Sequence, residues 1–145
     1  MSNIIRLIIS DRCPIARYGL ALMLDPFPDL EIVHLIPSVA DLVKNIDEKD
    51  CDILLVDPYN DVPVEIQYLD EFRSLKPEIK VIVLTGFQDQ SLIIKLLDIG
   101  IHGYRLKKAE APKIMETIHA VYNGEICMER CVGDAGVLTN PSFKM

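Results

Sequence analysis

Four polar residues in this chain each close an apolar run. Asp11 follows Ile4 to Ile9 and Ser10, Asp57 follows Ile53-Leu54-Leu55-Val56, Thr85 follows Val81-Ile82-Val83-Leu84, and Lys107 follows Gly103-Tyr104-Arg105-Leu106. Two carboxylates, a hydroxyl and an ammonium are the set that aspartyl phosphorylation requires. One carboxylate attacks a phosphoryl group as nucleophile, carboxylates hold a hard divalent cation that neutralises the phosphoryl oxygens, and the lysine and hydroxyl stabilise the remaining charge. Taken singly, each has a plainer role. Asp57 opens the turn Pro58-Tyr59-Asn60-Asp61, Thr85 caps a strand end, and Lys107 is a solvated turn cation. Only a fold that gathers the four run ends on one rim makes them a site.

The elements that must do this are legible in the hydrophobic pattern. Four consecutive aliphatic residues before Asp57, with no polar alternation, read as a strand buried on both faces, which belongs in a parallel sheet covered by helices. Ile4 to Ile9, Leu30 to Ile36, Val81 to Thr85 and Gly103 to Leu106 read as further strands. Between them Pro14 opens a helix in which Ile15, Gly19, Leu22 and Met23 recur at helical spacing until Asp25-Pro26. Ser38 caps a second helix, with Val39, Leu42, Val43 and Ile46 as its buried stripe. Ile66, Leu69, Phe72 and Leu75 mark a third, Ser91 to Leu97 a fourth closed by Gly100, and about Ala111 to Tyr122 a fifth closed by Asn123-Gly124. The fifth carries Ile114, Ile118, Val121 and Tyr122 inward. Five strands alternating with five helices predict an α/β fold, a five-stranded parallel doubly wound sheet with right-handed crossovers. In such sheets ligands bind beyond the carboxyl ends of the strands, where Asp11, Asp57, Thr85 and Lys107 fall.

Composition narrows the function classes. At 145 residues the chain fits one domain, and half of its residues are hydrophobic, which excludes a disordered chain. A formal net charge of −7 argues against direct nucleic-acid binding, which needs a clustered positive field. Arg6 inside the first apolar run and Asp11 soon after exclude a signal peptide or membrane span there, so the cytoplasm is the expected compartment. The cysteines, Cys13, Cys51, Cys127 and Cys131, show no paired zinc spacing and are expected as reduced thiols. Cys127 and Cys131 stand four apart, one helical turn if that piece is helical, and a redox switch there is the less favoured alternative to functionless thiols. Periodicity is lost from Glu125 onward. The expected organisation is one domain over residues 1–126 and an irregular tail or linker over 127–145.

With those residues in place, the chain resembles a response-regulator receiver domain over roughly residues 4 to 126. Pro14-Ile15-Ala16-Arg17-Tyr18-Gly19-Leu20, Val81 to Thr85 and Gly103-Tyr104-Arg105-Leu106-Lys107 resemble the receivers of regulators that carry a LuxR-type helix-turn-helix (NarL/FixJ-like). The resemblance implies a flavodoxin-like (βα)5 fold with strand order 2-1-3-4-5. It also implies Asp57 as phosphoacceptor, Thr85 as switch hydroxyl, Lys107 as the phosphoryl-binding lysine and Tyr104 as the aromatic that swings inward on activation. Mg²⁺ would be held by Asp11, Asp57 and the backbone carbonyl of Tyr59. The implied partners are a sensor histidine kinase or another signalling protein and a second copy of the chain, docking on the last helix or on the face around Tyr104 and Lys95. In full-length relatives a DNA-binding segment would begin near Leu138-Thr139, so this chain is expected to lack the output domain.

Departures from the family pattern matter as much. Arg12 stands where the family has a second acidic residue, and at ~5 Å from a divalent ion, with an effective dielectric near 20, its charge would cost roughly 6–7 kcal/mol. Arg12 either turns away or pairs with Asp57 where the metal would be. Lys108 replaces a common Asp. Phosphorylation of Asp57 is thereby left open against a phosphorylation-independent pseudo-receiver that works as an interaction module. A small flavodoxin-like enzyme is the third alternative. It would need a glycine-rich phosphate loop after the first strand, and Ser10-Asp11-Arg12-Cys13-Pro14 contains no glycine; nor is any histidine placed by a motif to activate Cys13. The expectation is therefore not an enzyme.

Overall fold

The computed structural model describes residues 3–44, 50–58, 62–86, 89–129, 132–133 and 136–137. Strands β1 (Ile5–Ser10), β2 (Leu30–Ile36), β3 (Ile53–Val56), β4 (Lys80–Thr85) and β5 (Gly103–Leu106) alternate with helices α1 (Pro14–Leu24), α2 (Val39–Lys44), α3 (Val62–Leu75), α4 (Gln90–Ile99) and α5 (Ala111–Tyr122). Every pairing in this sheet is parallel. The unbroken aliphatic runs are explained by two cores. Successive side chains of a strand point to opposite faces, so Leu7, Ile9, Ile53, Leu55, Ile82 and Leu84 join Ile114, Met115 and Ile118 of α5 on one side. Ile8, Leu54, Val56, Val81 and Val83 join Leu42, Leu69, Phe72, Leu92 and Leu96 on the other.

The sheet has six strands, not five. After α5 the chain turns at Gly124, whose φ is +96°, and returns as β6 (Cys127–Met128) along the free edge of β5, giving the order β2-β1-β3-β4-β5-β6. Cys127 N–H donates to the His102 carbonyl at 2.9 Å and Glu129 N–H to that of Tyr104 at 2.8 Å. A two-residue strand carries no period, so the sequence pattern is silent about it. Beyond it, β7 (Val132–Gly133) and β8 (Gly136–Val137) form a separate antiparallel pair.

Two helices differ in detail from their sequence pattern. On α1 the repeating Ile15, Leu22 and Met23 face solvent, and the buried side is Leu24 with Leu20 and Ala21 against the core. Leu75, at the end of the α3 repeat, is half exposed, whereas Leu69 and Phe72 are buried. Elsewhere the local chemistry acts as expected. Pro14 starts α1, and Gly100, at φ +93°, ends α4 with its N–H on the carbonyls of Leu96 and Leu97. Asp89 caps the start of α4 by accepting from Leu92 N–H at 3.2 Å. Gly103 is required by packing, since a Cβ there would stand 3.0 Å from Ile82 and 3.1 Å from Val121.

Candidate functional site

The carboxyl ends of β1, β3, β4 and β5 meet on one rim, and backbone hydrogen bonds hold them in step. Asp11 N–H donates to Ile36 O at 3.0 Å, Asp57 N–H to Ser10 O at 2.9 Å, and Lys107 N–H to Thr85 O at 2.7 Å. The structure thus brings Asp11, Asp57, Thr85 and Lys107 together. The Lys107 Nζ lies 2.5 Å from Asp11 Oδ2 and 2.6 Å from Asp57 Oδ2, bridging the two carboxylates. Both acids are shielded, with side chains 7% and 13% exposed. Burial lowers the Lys107 pKa, but hydrogen bonds first to Asp11 and then to Asp57 outweigh it and hold the ammonium above the ordinary lysine value. Ile9, Leu20, Leu55 and Leu84 line the small cavity beneath this bridge together with the three charged residues.

Asp11 is held by more than its ion pair. Its Oδ1 accepts from Cys13 N–H at 2.9 Å, and its carbonyl accepts from Arg17 Nη1 at 2.6 Å. The sequence pattern gives Arg17 no role at the rim. Its signal is local: an Asx turn just before Pro14 aims the first turn of α1 back at Asp11. Arg12, by contrast, is exposed. The cation that reaches Asp57 is Lys107, so the alternative in which Arg12 stands in the metal position does not describe this structure.

Thr85 is fully buried and Tyr104 is buried on the opposite core, near Leu106 and Met128. Lys108 is exposed, and the Tyr59 carbonyl and Asn60-Asp61 lie outside the described residues. Two carboxylates at the same rim, no more than about 5 Å apart through the shared ammonium, match the one or two that Mg²⁺ takes alongside phosphate and water. Among the described residues no third acid or histidine joins them.

Two polar contacts next to the site escaped the sequence pattern. Glu65 of α3, 3% exposed, accepts from Ser38 Oγ at 2.5 Å and from Val39 N–H at 3.4 Å, closing the start of α2. Arg105 donates to Thr117 Oγ1 at 2.9 Å and pairs with Glu129 at 3.2 Å, tying β6 and α5 to β5. Cys127 is half-buried against Thr117, and Cys131 lies outside the described residues. No helix among the described residues is long and apolar enough to cross a membrane.

A family model described as the response regulator receiver domain matches residues 7–119. The transcriptional regulatory protein LnrK of Bacillus subtilis is 31% identical over 120 residues, covering 83% of this chain and 54% of LnrK. The response regulator protein VraR of Staphylococcus epidermidis is 28% identical over 125 residues, covering 86% of this chain and 60% of VraR. The chain therefore spans just over half the length of these relatives. Among solved structures, a LuxR-family two-component response regulator from Aurantimonas sp. SI85-9A1 superposes with a TM-score of 0.78 at 20% identity, covering 88% of this chain and 90% of that one. The isolated REC domain of RcsB from Salmonella enterica, with the phosphomimetic BeF3-, gives 0.75 at 22% identity, covering 88% and 94%. At these identities the structural matches speak for the fold.

Proposed function

This chain belongs to the response regulator receiver domain family, and from that premise we propose that it relays a two-component signal through Asp57. Receiver domains of this kind are signalling modules rather than classical enzymes. In the proposed step an Asp57 carboxylate oxygen attacks the phosphorus of a phosphohistidine on a sensor kinase, the P–N bond breaks, and an acyl phosphate forms. The observation that carries this is the Lys107 ammonium 2.6 Å from Asp57, placed to stabilise the added negative charge. Thr85 and Tyr104 are the proposed switch residues that read the change out.

Mg²⁺ would be held by Asp11, Asp57 and the Tyr59 carbonyl, and when bound it supplies charge neutralisation at the phosphoryl oxygens. The missing third carboxylate, replaced by Arg12, and the Lys107 ammonium already between the two acids both weaken that hold. The proposed output is control of transcription, since relatives such as LnrK are transcriptional regulatory proteins, and RcsB is known as dimers on DNA. A homodimer in the cytoplasm is the proposed working form.

One observation favours a second reading. Lys107 bridges Asp11 and Asp57 directly, an internal tie on which a phosphorylation-independent pseudo-receiver would rely. Intact mass after incubation with a small phosphodonor, with and without Mg²⁺, separates the two. A gain of one phosphoryl group that needs Mg²⁺ and is lost in Asp57→Asn is the expected result. No gain from a phosphodonor or from a phosphorylated kinase establishes the pseudo-receiver instead.

A further inference from the structure

After α5 the chain does not leave the sheet but is stitched to the strand that ends in Lys107. β6 runs parallel to β5, with Cys127 opposite Gly103 and Met128 opposite Tyr104. Two ladder residues hold little by themselves, so side chains supply the rest. Met128, 4% exposed, is buried in the same core as Tyr104 and Leu106. The Glu129 carboxylate reaches back across β5, accepting from Arg105 Nη1 at 3.2 Å and from Leu106 N–H at 3.4 Å. Arg105 Nε donates in turn to Thr117 Oγ1, and that hydroxyl donates to the Lys113 carbonyl at 3.2 Å, which carries the tie into α5. With side chains 14% and 18% exposed, the Arg105–Glu129 pair is largely sheltered from salt.

We propose that Glu129 is a latch: with β6 it holds β5 in the resting position, and phosphorylation of Asp57 releases it. β5 has only four residues, and its successive positions serve both ends of this device. The Tyr104 carbonyl accepts from Glu129 N–H, Arg105 and Leu106 N–H bind the Glu129 carboxylate, and the next residue, Lys107, bridges Asp11 and Asp57. From Tyr104 to Lys107 is roughly 10 Å of extended chain, with no slack to absorb a movement. An acyl phosphate on Asp57 presents new oxygens to the ammonium, which must leave its bridge to meet them. The Leu106 contact lies at the long end of the hydrogen-bond range, so a small shift of the strand ends it. Tyr104 and Met128 share one packed core, so a moved Tyr104 ring disturbs Met128.

The plainer role for β6 is to cover an open edge of the sheet. Apolar contacts would serve that end. Here the edge is closed through an ion pair and a carboxylate on a backbone N–H, contacts that depend on distance and direction far more steeply than apolar burial does. Short elements with few ladder bonds are the first to open, and this one is tied beside Lys107. By reciprocity, if phosphorylation weakens the latch, loss of the latch must favour the phosphorylated state. Release presupposes Asp57 phosphorylation as proposed above; the tie itself does not.

Hydrogen–deuterium exchange at Cys127 and Glu129 tests it, on the chain treated with a small phosphodonor and Mg²⁺ and checked by intact mass. Phosphorylation is expected to speed exchange at both amides by about tenfold or more. Glu129→Gln should give the same fast exchange without phosphodonor, as should Arg105→Gln from the other end of the pair, while the Ile53–Val56 amides stay slow and show the fold intact. Glu129→Gln should also tighten binding of BeF3- with Mg²⁺ by about fivefold or more. A gained phosphoryl group with β6 exchange unchanged overturns release and leaves Asp57 phosphorylation standing. Resting exchange in both variants overturns the latch, and an unchanged BeF3- affinity in Glu129→Gln reduces β6 to an edge cover. No mass gain overturns phosphorylation and release together.

Discussion

Replacing Lys107 by Met should expose how much of the rim rests on one ammonium. Both Asp11 Oδ2 and Asp57 Oδ2 lie within 2.6 Å of Nζ, which places them no more than about 5 Å from each other. Two unit charges at that separation and an effective dielectric near 20 repel by roughly 3 kcal/mol, and carboxylates this shielded are little screened by salt. Lys107→Met is expected to lower the unfolding free energy by about 3 kcal/mol in urea melts at neutral pH with chelator present, in the range known for breaking a buried pair. Protonating either acid removes the repulsion, so the loss shrinks in acid. Adding Mg²⁺ should recover part of it, because the two acids are then free to take a divalent ion. Removing one acid as well, in Lys107→Met with Asp57→Asn, should cost less than the sum of the single changes by ~2 kcal/mol or more. An additive double variant, or a loss equally large at acid and neutral pH, would refute the bridge. In the wild type the raised Lys107 pKa means the pair's contribution is full below the ordinary lysine value of 10.5 and is lost as pH rises through the higher folded value.

His102 is pushed down to about 4 by burial and by the Arg73 and Lys80 charges, and its Nδ1 accepts from Val81 N–H at 3.0 Å. A depressed folded pKa gives stability that is present above 6.5 and lost as pH falls through 4; with the ring partly buried, about 1–2 kcal/mol of the nominal effect should survive screening. His102→Asn, which keeps an acceptor for Val81, should flatten that acid limb in melts between pH 7 and 4. Glu65→Ala strands Ser38 Oγ and the start of α2, and should cost roughly 2–3 kcal/mol by denaturant titration, with Glu65→Gln losing less. Burial, with Asp52 and Asp50 nearby, pushes the Cys51 thiol up to about 12, whereas Cys13 is exposed. A thiol reagent at pH 8, followed by intact mass, should label Cys13 at once and Cys51 only as the chain unfolds. A fast label in a Cys13→Ser, Cys127→Ser, Cys131→Ser variant, where only Cys51 remains, would contradict this.

The five β/α units, and the rim they place, follow from the chain's own pattern. A run such as Ile53 to Val56 has one stable home, between two covered faces of a parallel sheet, and the polar residue that ends it must then lie on the ligand-binding edge. Asp11, Asp57, Thr85 and Lys107 could be named from that alone. Periodicity says that a residue lies on a face of its element; it does not say what the face meets. Ile15 and Leu22 repeat as regularly as a core stripe, yet α1 buries its other side. Likewise, composition could offer Arg12 as the cation for Asp57, but the reach of each side chain across the rim selects Lys107. The sixth strand, the Glu65 cap on α2 and the Arg105–Glu129 tie join residues more than twenty positions apart. Such contacts are chosen when the layers close and each buried donor or carboxylate must find a partner at that distance, and that choice belongs to the tertiary structure alone.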